Sequence, residues 1–520
     1  MATTPSMSNT ARASHRLLTR SSVTLPNPSR PNHQLQCIPL GLRQASTTTQ
    51  DGHKKERVVI LGSGWAGYGF ARSLDPKKYE RIMISPRSYF VFTPLLAGTA
   101  VGTLEFRAVT EPVRRLGLDK FHQGWADDID FARKVIRVEA NTSDDIASRT
   151  RLAIKHRPDT ADKGALFEVE YDKLVVAVGS YSQTFGIEGV REHANFLRDI
   201  GDARNIRMKV LQNFEKAALP ITSEEDKKKL LHFAIVGGGP TGIEYAAELH
   251  DLIRDDLSHT YPDLMEFVTI TVYDVAPKVL PMFDKKLADY AMDRFNREGI
   301  KVKTQHHLTR VRPDEDCEGC LKLKIKEYGE KEVGAGIVVW STGLMQNPLI
   351  QKLESKVFKM PGLDSEMQLQ KDTKTGGIVT DANLRVNMIP HATASEAPVQ
   401  APKSTLLPGV YGIGDCTVIS GMGLPATAQV ASQQAAHLAR RLNKNDVDEK
   451  PFKFRNWGTM TYLGNWTAIH QSSADELKGW MAWVLWRTAY LTRSMSIRNK
   501  ITVPFYWAMS WIFGRDISRF

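Results

Sequence analysis

Residues 58–67, VVILGSGWAG, decide the first half of the fold. An aliphatic run predicts a buried strand, and it leads into the spacing Gly62-x-Gly64-x-x-Gly67. A helical pattern and a second strand, RIMIS, follow. In such a strand–turn–helix unit the glycines form a tight turn, admit a pyrophosphate close to the backbone and let helix and strand pack closely. The helix N-terminus then offers N–H donors to phosphate. The stretch therefore predicts a dinucleotide-binding unit.

A second unit of the same kind lies further along the chain. Gly237-x-Gly239-x-x-Gly242 follows an apolar strand and opens a helix, and the next strand, VTITVYD, ends in Asp274. An acid at this place binds a ribose 2′-hydroxyl and repels a 2′-phosphate, which favours NAD over NADP. The first unit has Ser85-Pro86-Arg87 at the equivalent place and lacks that carboxylate. One glycine motif alone is weak evidence, but two in full context predict two dinucleotide sites.

Three further apolar segments complete this plan. YDKLVVAVGS (171–180) and GIVVWSTGL (336–344) are predicted to be the returning strands of the two units, and GVYGIGDC (409–416) is a strand that ends at Gly414-Asp415. The predicted fold class is α/β, with two Rossmann-like dinucleotide-binding domains and a C-terminal helical membrane-anchoring segment. The predicted domains are a transit peptide at 1–50, a first dinucleotide-binding domain at 51–220 and 351–450, a second at 221–350, and an anchoring domain at 451–520.

The uncharged stretch GLPATAQVASQ (423–433) predicts a helix rich in small residues. Pro425 is suited to its first turn, because the N–H that proline lacks is unpaired there in any case. Gln429 and Gln433 are one turn apart and share a face. The helix therefore presents two amides among alanines, on a surface with no charge.

The net charge of +11 belongs to the two ends of the chain. Residues 1–50 carry five arginines and no acid, and residues 478–520 carry seven basic groups and one acid. The middle is neutral, which argues against a nucleic-acid-binding face. The Arg- and Ser-rich start, with no continuous apolar core, is typical of a mitochondrial transit peptide, although a disordered basic tail is the alternative.

Cysteine and acidic residues give little support to a metal site. The segment CEGC (317–320) has the CxxC spacing, but a four-ligand zinc site usually needs two such pairs, so we expect a loop between strands and no metal. The stretch RPDEDCEGC lacks the spacing and the final glutamate of a calcium loop, so we expect no calcium dependence. Neither glycine motif has the lysine of a phosphoryl-transfer loop, so phosphoryl transfer is not supported.

The C-terminal residues predict attachment to a membrane surface. WMAWVLWRTAYLT (480–492) and ITVPFYWAMSWIFG (501–514) are apolar and are flanked by arginine and lysine, but each is shorter than the roughly 20 residues of a spanning helix. Tryptophans beside basic residues are typical of an interfacial anchor. The alternative is a helical pair packed on the body or at a dimer interface.

The motifs GSGWAG, AVG, GGGPTG, STG and GIGD, in this order, resemble flavoprotein oxidoreductases that bind FAD in a first domain and NAD(P)H in a second. ISPRSYFVFTPLLAGTAVGT, GGGPTGIEYAAEL, PKVLPMFDKKLADYA and GLPATAQVASQ more narrowly resemble type II (alternative, rotenone-insensitive) NADH:ubiquinone oxidoreductases of fungal mitochondria. The resemblance runs from about residue 56 to the C-terminus. It implies hydride transfer from NADH to FAD and then electron transfer to ubiquinone in the respiratory chain, without proton pumping.

The resemblance also implies which residues hold the flavin. The pyrophosphate is expected at the first glycine motif, the adenosine side at Ser85 and Arg87, the flavin ring near Thr93 and the ribityl end at Asp415. The implied FAD-binding residues are Gly62, Ser63, Gly64, Trp65, Ala66, Gly67, Ser85, Arg87, Thr93, Gly179, Gly414, Asp415 and Ala428.

The implied NADH and ubiquinone sites both adjoin the flavin ring. Glu244 is expected to approach the nicotinamide, and Gln429 to donate to a quinone carbonyl; these two are the predicted catalytic residues. Fungal relatives usually have glutamate where Asp274 stands. The implied NADH-binding residues are Gly237, Gly239, Pro240, Thr241, Gly242, Glu244, Asp274, Thr342 and Gly343. The implied quinone-binding residues are Gln429, Gln433 and Tyr490.

Other chemistries of the same architecture are disfavoured. The helix after the first glycine motif has no cysteine, which excludes disulfide reduction. A sulfide:quinone oxidoreductase needs a cysteine pair beside the flavin, and only Cys416 is near that region. A redox flavoprotein of the apoptosis-inducing-factor type is the other alternative. We expect a peripheral protein of the mitochondrial inner membrane that faces the matrix and is bound to the lipid surface. A homodimer is plausible from the resemblance alone.

Overall fold

The computed structural model describes residues 54–141, 164–391, 404–472, 475–494 and 496–518. The predicted transit peptide and Cys37 lie outside these residues. Two sheets form the framework, one for each glycine motif, as the sequence predicted. The larger is mixed, with parallel strands around the first glycine motif and antiparallel strands further out, and the smaller is parallel.

The larger sheet contains twelve of the described strands and has the first glycine motif at its centre. Its strand Glu56–Leu61 lies between Tyr79–Ser85 and Lys173–Val176, and all three are parallel. The strand after Glu56–Leu61, predicted as RIMIS, and the returning strand at 173–176 are therefore confirmed. The remaining strands of this sheet are Lys120–Asp130, Val135–Ala140, Leu166–Glu170, Phe358–Lys359, Glu366–Leu369, Ile378–Thr380, Arg385–Pro390, Thr405–Gly412 and Thr417–Ile419.

The second sheet has five parallel strands and holds the second glycine motif. The predicted returning strand, Ile337–Trp340, lies beside His232–Val236. Asn195–Phe196 also joins this sheet, so the chain first crosses to it before residue 220, where the sequence analysis put a domain boundary. The strands, in spatial order, are Asn195–Phe196, Ile337–Trp340, His232–Val236, Thr269–Asp274 and Lys301–Thr304.

Four small sheets connect and cover these two. Ser180–Ser182 pairs with Leu344–Gln346, which ties the ends of the two returning strands together. The others are a three-stranded sheet at Leu308–Pro313, Leu321–Ile325 and Glu332–Ala335, a three-stranded sheet at Thr459–Tyr462, Ala468–Gln471 and Glu476–Gly479, and a pair at Tyr89–Val91 and Thr110–Pro112.

Each glycine motif is followed by a helix whose inner face is apolar. These helices are Trp65–Ser73 and Pro240–Leu252, and most of their residues are buried. The other helices are Leu96–Ala100, Val190–His193, Ile200–Ala217, Glu224–Leu230, Ser258–Thr260, Lys285–Arg297, Pro348–Lys352, Ala428–Lys444, Trp480–Arg493 and Ile497–Phe513.

The small residues of helix Ala428–Lys444 allow close helix packing. Ala435, Leu438 and Ala439 are buried, and a Cβ placed on Gly69 of the first glycine-motif helix would lie 3.4 Å from the Cβ of Ala435. The prediction that this helix begins at Pro425 is wrong. It begins at Ala428, because the Oγ1 of Thr427 accepts a hydrogen bond from the N–H of Val430 at 3.3 Å and caps the helix.

The two C-terminal helices, Trp480–Arg493 and Ile497–Phe513, form a tail that packs on the body along one side. Ala482, Trp486, Val503 and Trp507 are buried. The outer side leaves many large apolar residues exposed, including Trp480, Ile501, Phe505, Trp511, Ile512 and Phe513. Within the part of the chain that the structure describes, no helix combines the length and apolar character needed to cross a bilayer.

Candidate functional site

A cavity of about 840 Å³ lies at the carboxyl ends of the parallel strands of the two large sheets. Parallel strands bring their carboxyl ends to one edge, and the turns after several of these strands line the cavity: the first glycine motif, Ala177–Ser180, Trp340–Leu344 and Gly414–Asp415. Its volume is within the range of roughly 300–1,000 Å³ of ligand sites. Residues from the tail and from the helix at 428–444 close one end.

The first glycine motif forms a cradle open toward this cavity. Gly62 has φ +103°, and a Cβ there would lie 2.4 Å from the carbonyl oxygen of Ala177. A Cβ on Gly67 would lie 1.9 Å from the carbonyl oxygen of Gly62, so helix and strand approach too closely for any side chain. A Cβ on Gly64 would meet nothing within 4 Å. The first and third glycines are thus required by the fold, and the second leaves the backbone bare on the cavity side, as pyrophosphate binding requires.

Most residues predicted to hold FAD lie together. All of them except Gly67 line the cavity: Gly62, Ser63, Gly64, Trp65, Ala66, Ser85, Arg87, Thr93, Gly179, Gly414, Asp415 and Ala428. Ser63 and Ser85 are buried with their hydroxyl oxygens 2.8 Å apart, and the indole N–H of Trp65 donates to the Oγ1 of Thr93 at 3.0 Å. The donor set and the bare glycine backbone therefore fit FAD.

Three charged residues in this cavity, Arg198, Asp199 and Asp202, were missed by the sequence analysis, which of this group had predicted only Arg87. Arg87 Nε lies 2.7 Å from the Oδ2 of Asp199, which also caps helix Ile200–Ala217. Arg198 donates to the Oγ of Ser180 at 3.3 Å, and its Nη1 has no hydrogen-bond partner within the described structure. Burial raises the pKa of Asp202 to about 6. These residues follow strand Asn195–Phe196 of the second sheet, so only the three-dimensional fold brings them to the first glycine motif.

The second glycine motif repeats the geometry of the first. Gly237 has φ +115°, a Cβ on Gly242 would lie 2.0 Å from the carbonyl oxygen of Gly237, and a Cβ on Gly239 would meet nothing within 4 Å. Asp274 ends its strand and accepts hydrogen bonds from the N–H groups of Gly238 and, at 2.7 Å, Ala276. Of the predicted NADH-binding residues, five line the cavity: Pro240, Thr241, Glu244, Thr342 and Gly343. Gly237, Gly239, Gly242 and Asp274 lie behind them.

Glu244 is a buried carboxyl group at the cavity wall. Its Oε1 accepts hydrogen bonds from the backbone N–H of Tyr462 at 3.2 Å and from the indole N–H of Trp486 at 3.4 Å. Burial is the main cause that raises its pKa to about 8; the nearby Glu248 raises it further, and the two hydrogen bonds oppose the shift. Glu244 therefore holds a proton at neutral pH and can give it up within the cavity.

Aromatic side chains of the tail form the wall beside Glu244. The rings of Trp486 and Tyr490 are 5.0 Å apart and nearly perpendicular, and Tyr490 also meets Phe92 at 6.2 Å. Tyr490 lines the cavity together with Met460. An apolar wall with one phenol group suits a flat, neutral ring.

The amides of Gln429 and Gln433 do not point into this cavity. Gln429 accepts from the backbone N–H of Trp457 at 3.1 Å and donates to the carbonyl of Gly458 at 3.3 Å. Gln433 makes the same pair of bonds with Arg455, at 3.0 and 2.8 Å. The expectation of a free amide that faces a quinone is therefore corrected: the two side chains pair with segment 455–458 as a neighbouring strand would, since a glutamine amide has the donor and acceptor of a peptide group.

Among the described residues, the cysteines give no pair beside the first glycine motif. Cys416 is buried, and its thiol donates to the carbonyl oxygens of Val176 and Ile413. Burial raises the pKa of this thiol to about 11, so it is not a reactive thiolate. Cys317 and Cys320 form a disulfide in the loop between strands Leu308–Pro313 and Leu321–Ile325, which confirms the predicted loop. The sequence analysis did not predict that bond.

The fold and cavity define an oxidoreductase that binds two dinucleotides. Residues 56–435 match the pyridine nucleotide–disulphide oxidoreductase family, and the chain belongs to it. Residues 457–516, which contain the tail, match the NDH2 C-terminal domain.

Curated relatives and a solved structure agree with this family. The chain is 37% identical to a probable NADH dehydrogenase of Dictyostelium discoideum, over 90% of this chain and 92% of the relative. It is 35% identical to the mitochondrial internal alternative NAD(P)H-ubiquinone oxidoreductase A1 of Solanum tuberosum (90% and 88% covered). It is 32% identical to the mitochondrial external NADH-ubiquinone oxidoreductase 2 of Saccharomyces cerevisiae (91% and 84% covered). The NDH2 structure from Plasmodium falciparum in complex with NADH superposes with a TM-score of 0.73 at 26% identity, covering 89% of this chain and 100% of that one.

Proposed function

We propose that this protein is an FAD-dependent NADH:ubiquinone oxidoreductase of the type II class. The observation that carries the proposal is the single cavity, which is lined by both glycine-motif units and by Tyr490 of the tail. A dinucleotide pocket alone is common to the whole family. A pocket that also reaches an apolar, tail-derived wall is what transfer from NADH to a lipid-soluble acceptor requires. The relatives that carry the name NAD(P)H-ubiquinone oxidoreductase support it.

The first glycine motif holds FAD through its bare backbone and the helix dipole of Trp65–Ser73. Bound FAD accepts hydride from NADH and passes two electrons to ubiquinone. Arg198 and the Arg87–Asp199 pair surround the phosphate and ribose parts, and Asp415 with Ser180 holds the ribityl end; the Asp415 carboxylate accepts from the Ser180 hydroxyl at 3.3 Å. Thr427 and Ala428 place the N-terminus of helix Ala428–Lys444 at the cavity, where its dipole would favour negative charge on a ring bound there.

NADH lies on the second glycine motif, with Pro240, Thr241 and the Thr342–Gly343 turn on its nicotinamide side. Asp274 binds the adenosine ribose and orients the glycine loop through the N–H of Gly238. Glu244 is the residue of the NADH-binding half that reaches the ubiquinone site. Because Glu244 holds a proton at neutral pH, it can donate that proton to ubiquinone as the quinone is reduced.

The quinone ring binds between Tyr490 and Met460, next to Glu244. Gln429 and Gln433 shape this end of the cavity indirectly, because they hold segment 455–458, which leads into the strand of Met460. An uncharged, aromatic entrance lets a neutral isoprenoid quinone enter from a lipid phase.

The outer side of the tail is the surface for that lipid phase. Trp480 and Trp511 are 68% and 70% exposed, and Ile501 is 66% exposed. Exposed apolar residues on this scale mark an interaction site, and tryptophans with arginines favour the headgroup region of an anionic bilayer. The protein attaches to the mitochondrial inner membrane as a peripheral protein. We place it on the matrix side, as in its internal relative, and the external yeast relative represents the other arrangement. A homodimer is compatible with this attachment.

The test is a flavin spectrum of the purified protein followed by anaerobic titration with NADH and then with a short-chain ubiquinone. We expect NADH to bleach the flavin absorbance and ubiquinone to restore it. If NADH leaves the flavin spectrum unchanged, the proposed function is refuted. Bleaching that ubiquinone does not reverse would retain NADH oxidation and reject ubiquinone as the acceptor.

A further inference from the structure

A second buried glutamate lies directly behind Glu244. Glu248 is one helical turn further along Pro240–Leu252, so the two carboxyl groups share a face of that helix. Glu248 is only 7% exposed. It does not line the large cavity, and it has no part in the proposed binding of NADH, FAD or quinone.

Glu244 and Glu248 line one small cavity of about 10 Å³. That volume is close to the lower bound for one water molecule, and the two carboxyl groups supply polar partners for it. A single water between the two acids would connect them by hydrogen bonds. Glu244 thus lines both the large and the small cavity, and Glu248 lines the small one.

Contacts from two other parts of the chain fix the position of Glu248. The Oγ1 of Thr103 donates to its Oε2 at 2.8 Å, and Arg515, just after the tail, donates from Nε to the same Oγ1 at 3.0 Å. Gly98 leaves room for the carboxyl group, because a Cβ there would lie 3.1 Å from Oε1. A buried acid with this support has a defined orientation toward the small cavity.

The surroundings of Glu248 raise its pKa above that of a free glutamate. Burial raises its pKa most, and Asp251 on the same helix raises it too. Arg515, Thr103 and Arg487 of the tail lower it. Tyr462 faces the same cluster and donates its hydroxyl to Asp251 at 2.6 Å.

We propose that Glu248 relays protons to Glu244 during quinone reduction. This inference rests on the proposed function. In each turnover NADH, one proton and a quinone become NAD⁺ and a quinol, so one proton must enter from solvent. Glu244 gives its proton to a quinone oxygen, and Glu248 passes its own proton through the intervening water to the Glu244 carboxylate. Glu248 is then reprotonated from the solvent side, where Asp251 lies next to the half-buried His250, with 3.9 Å between Oδ1 and Nδ1. No other bond is broken and no further oxidant is needed.

The experiment compares the two half-reactions of the full-length, FAD-loaded protein by stopped flow, over pH 6 to 9. In Glu248→Gln we expect flavin reduction by NADH within twofold of the wild type. We expect reoxidation by a short-chain ubiquinone to slow roughly tenfold, below the 10²–10⁴-fold typical of a direct acid, with a larger solvent deuterium isotope effect. Glu248→Asp restores the rate in part, because the acid is retained. Glu139→Gln, a buried glutamate in strand Val135–Ala140, is the matched control and leaves both steps unchanged.

Each outcome decides between a relay and a structural role. Reoxidation within twofold of the wild type at every pH overturns the relay, and so does an equal slowing of both half-reactions. Where Glu248→Gln does not fold, as judged by flavin content and melting temperature, Thr103→Val takes its place. It removes the hydroxyl that holds Glu248, and an unchanged isotope effect overturns the relay. Wild-type protein whose reduced flavin is not reoxidised by ubiquinone refutes the proposed function instead, before any variant is compared.

Discussion

The side-chain amide of Gln429 is paired with the backbone of Trp457, whose N–H donates to Oε1 at 3.1 Å, while Nε2 donates to the next carbonyl at 3.3 Å. This segment continues into strand Thr459–Tyr462, which contributes Met460 to the cavity and the N–H of Tyr462 to Glu244. The helix of small residues therefore acts on the end of the cavity proposed to bind quinone through the strand it holds. Its glutamines are not the groups that a ligand meets.

Gln429→Ala tests this connection. Loss of both bonds leaves a partly exposed peptide N–H and carbonyl to water, and we expect a decrease of about 0.5–1.5 kcal/mol per bond in the free energy of unfolding. Quinone reduction falls because Met460 and Tyr462 lose their support, while flavin reduction by NADH stays intact. Chemical denaturation and stopped-flow flavin absorbance measure the two effects. His437→Ala, on the same helix but outside the cavity lining, is a control for the helix itself. A large loss of quinone reduction with unchanged stability would instead support direct contact of Gln429 with the quinone.

The sequence was sufficient where one local pattern sets one structure. The glycine motifs predicted their strands, turns and helices because Gly62 and Gly237 require a positive φ and the third glycines leave no room for a Cβ. It was insufficient where the partner comes from far along the chain. Nothing near Asp199 indicates that it pairs with Arg87, and nothing near Gln429 indicates segment 455–458, because both contacts depend on tertiary packing. The start of helix Ala428–Lys444 was misplaced because Pro425 was given more weight than the capping hydroxyl of Thr427.

Gly64 and Gly67 are expected to respond differently to the same substitution. In Gly64→Ala the new methyl group meets no protein atom within 4 Å and projects to the cavity side, so the fold is kept and FAD is lost. In Gly67→Ala it would lie 1.9 Å from the carbonyl oxygen of Gly62, and the protein is expected to be insoluble or strongly destabilised. Flavin absorbance per chain and circular dichroism separate the two cases. Full flavin content in Gly64→Ala would place the pyrophosphate elsewhere.

Asp274→Asn tests whether Asp274 sets the preference for NADH over NADPH. The amide keeps one acceptor, but it can no longer accept from both Gly238 and Ala276, and it no longer repels a 2′-phosphate. We expect the KM for NADH to rise about tenfold, as loss of one hydrogen bond to a charged group implies, and the preference for NADH over NADPH to shrink. The ratio of kcat/KM for the two substrates measures this. Asp284→Asn is the control, since Asp284 caps a helix in the same half of the protein. An unchanged ratio would remove Asp274 from the ribose site.

The exposed side of the tail is expected to bind lipid. Burying a large apolar side chain contributes about 1.5–3 kcal/mol, so Phe505→Ser with Trp511→Ser should weaken binding to anionic vesicles by well over tenfold. Phe505 and Trp511 are 55% and 70% exposed, so the fold is not affected. Co-sedimentation with vesicles gives the bound fraction. Leu219→Ser with Ile221→Ser, also exposed but outside the tail, is the matched control. Equal binding by both double variants would contradict attachment through the tail.

Glu244 makes the stability of the protein depend on pH in a predictable direction. Its pKa is about 8 in the folded protein against 4.5 for a free glutamate, so the folded state holds the proton more tightly than the unfolded state. The contribution of Glu244 to the free energy of unfolding is therefore most favourable below pH 4.5. It declines as pH rises toward 8 and is constant above that. Glu244→Gln keeps an acceptor for Tyr462 and Trp486 but cannot ionise. We expect it to melt at a higher temperature than the wild type at pH 9, and by a smaller margin at pH 6.

Quinone reduction should fall in the same variant, because the proton donor is gone, whereas flavin reduction by NADH should not. A melting difference that does not grow between pH 6 and pH 9 would mean that Glu244 is ionised in the folded protein, and it would then be a proton acceptor in place of a donor.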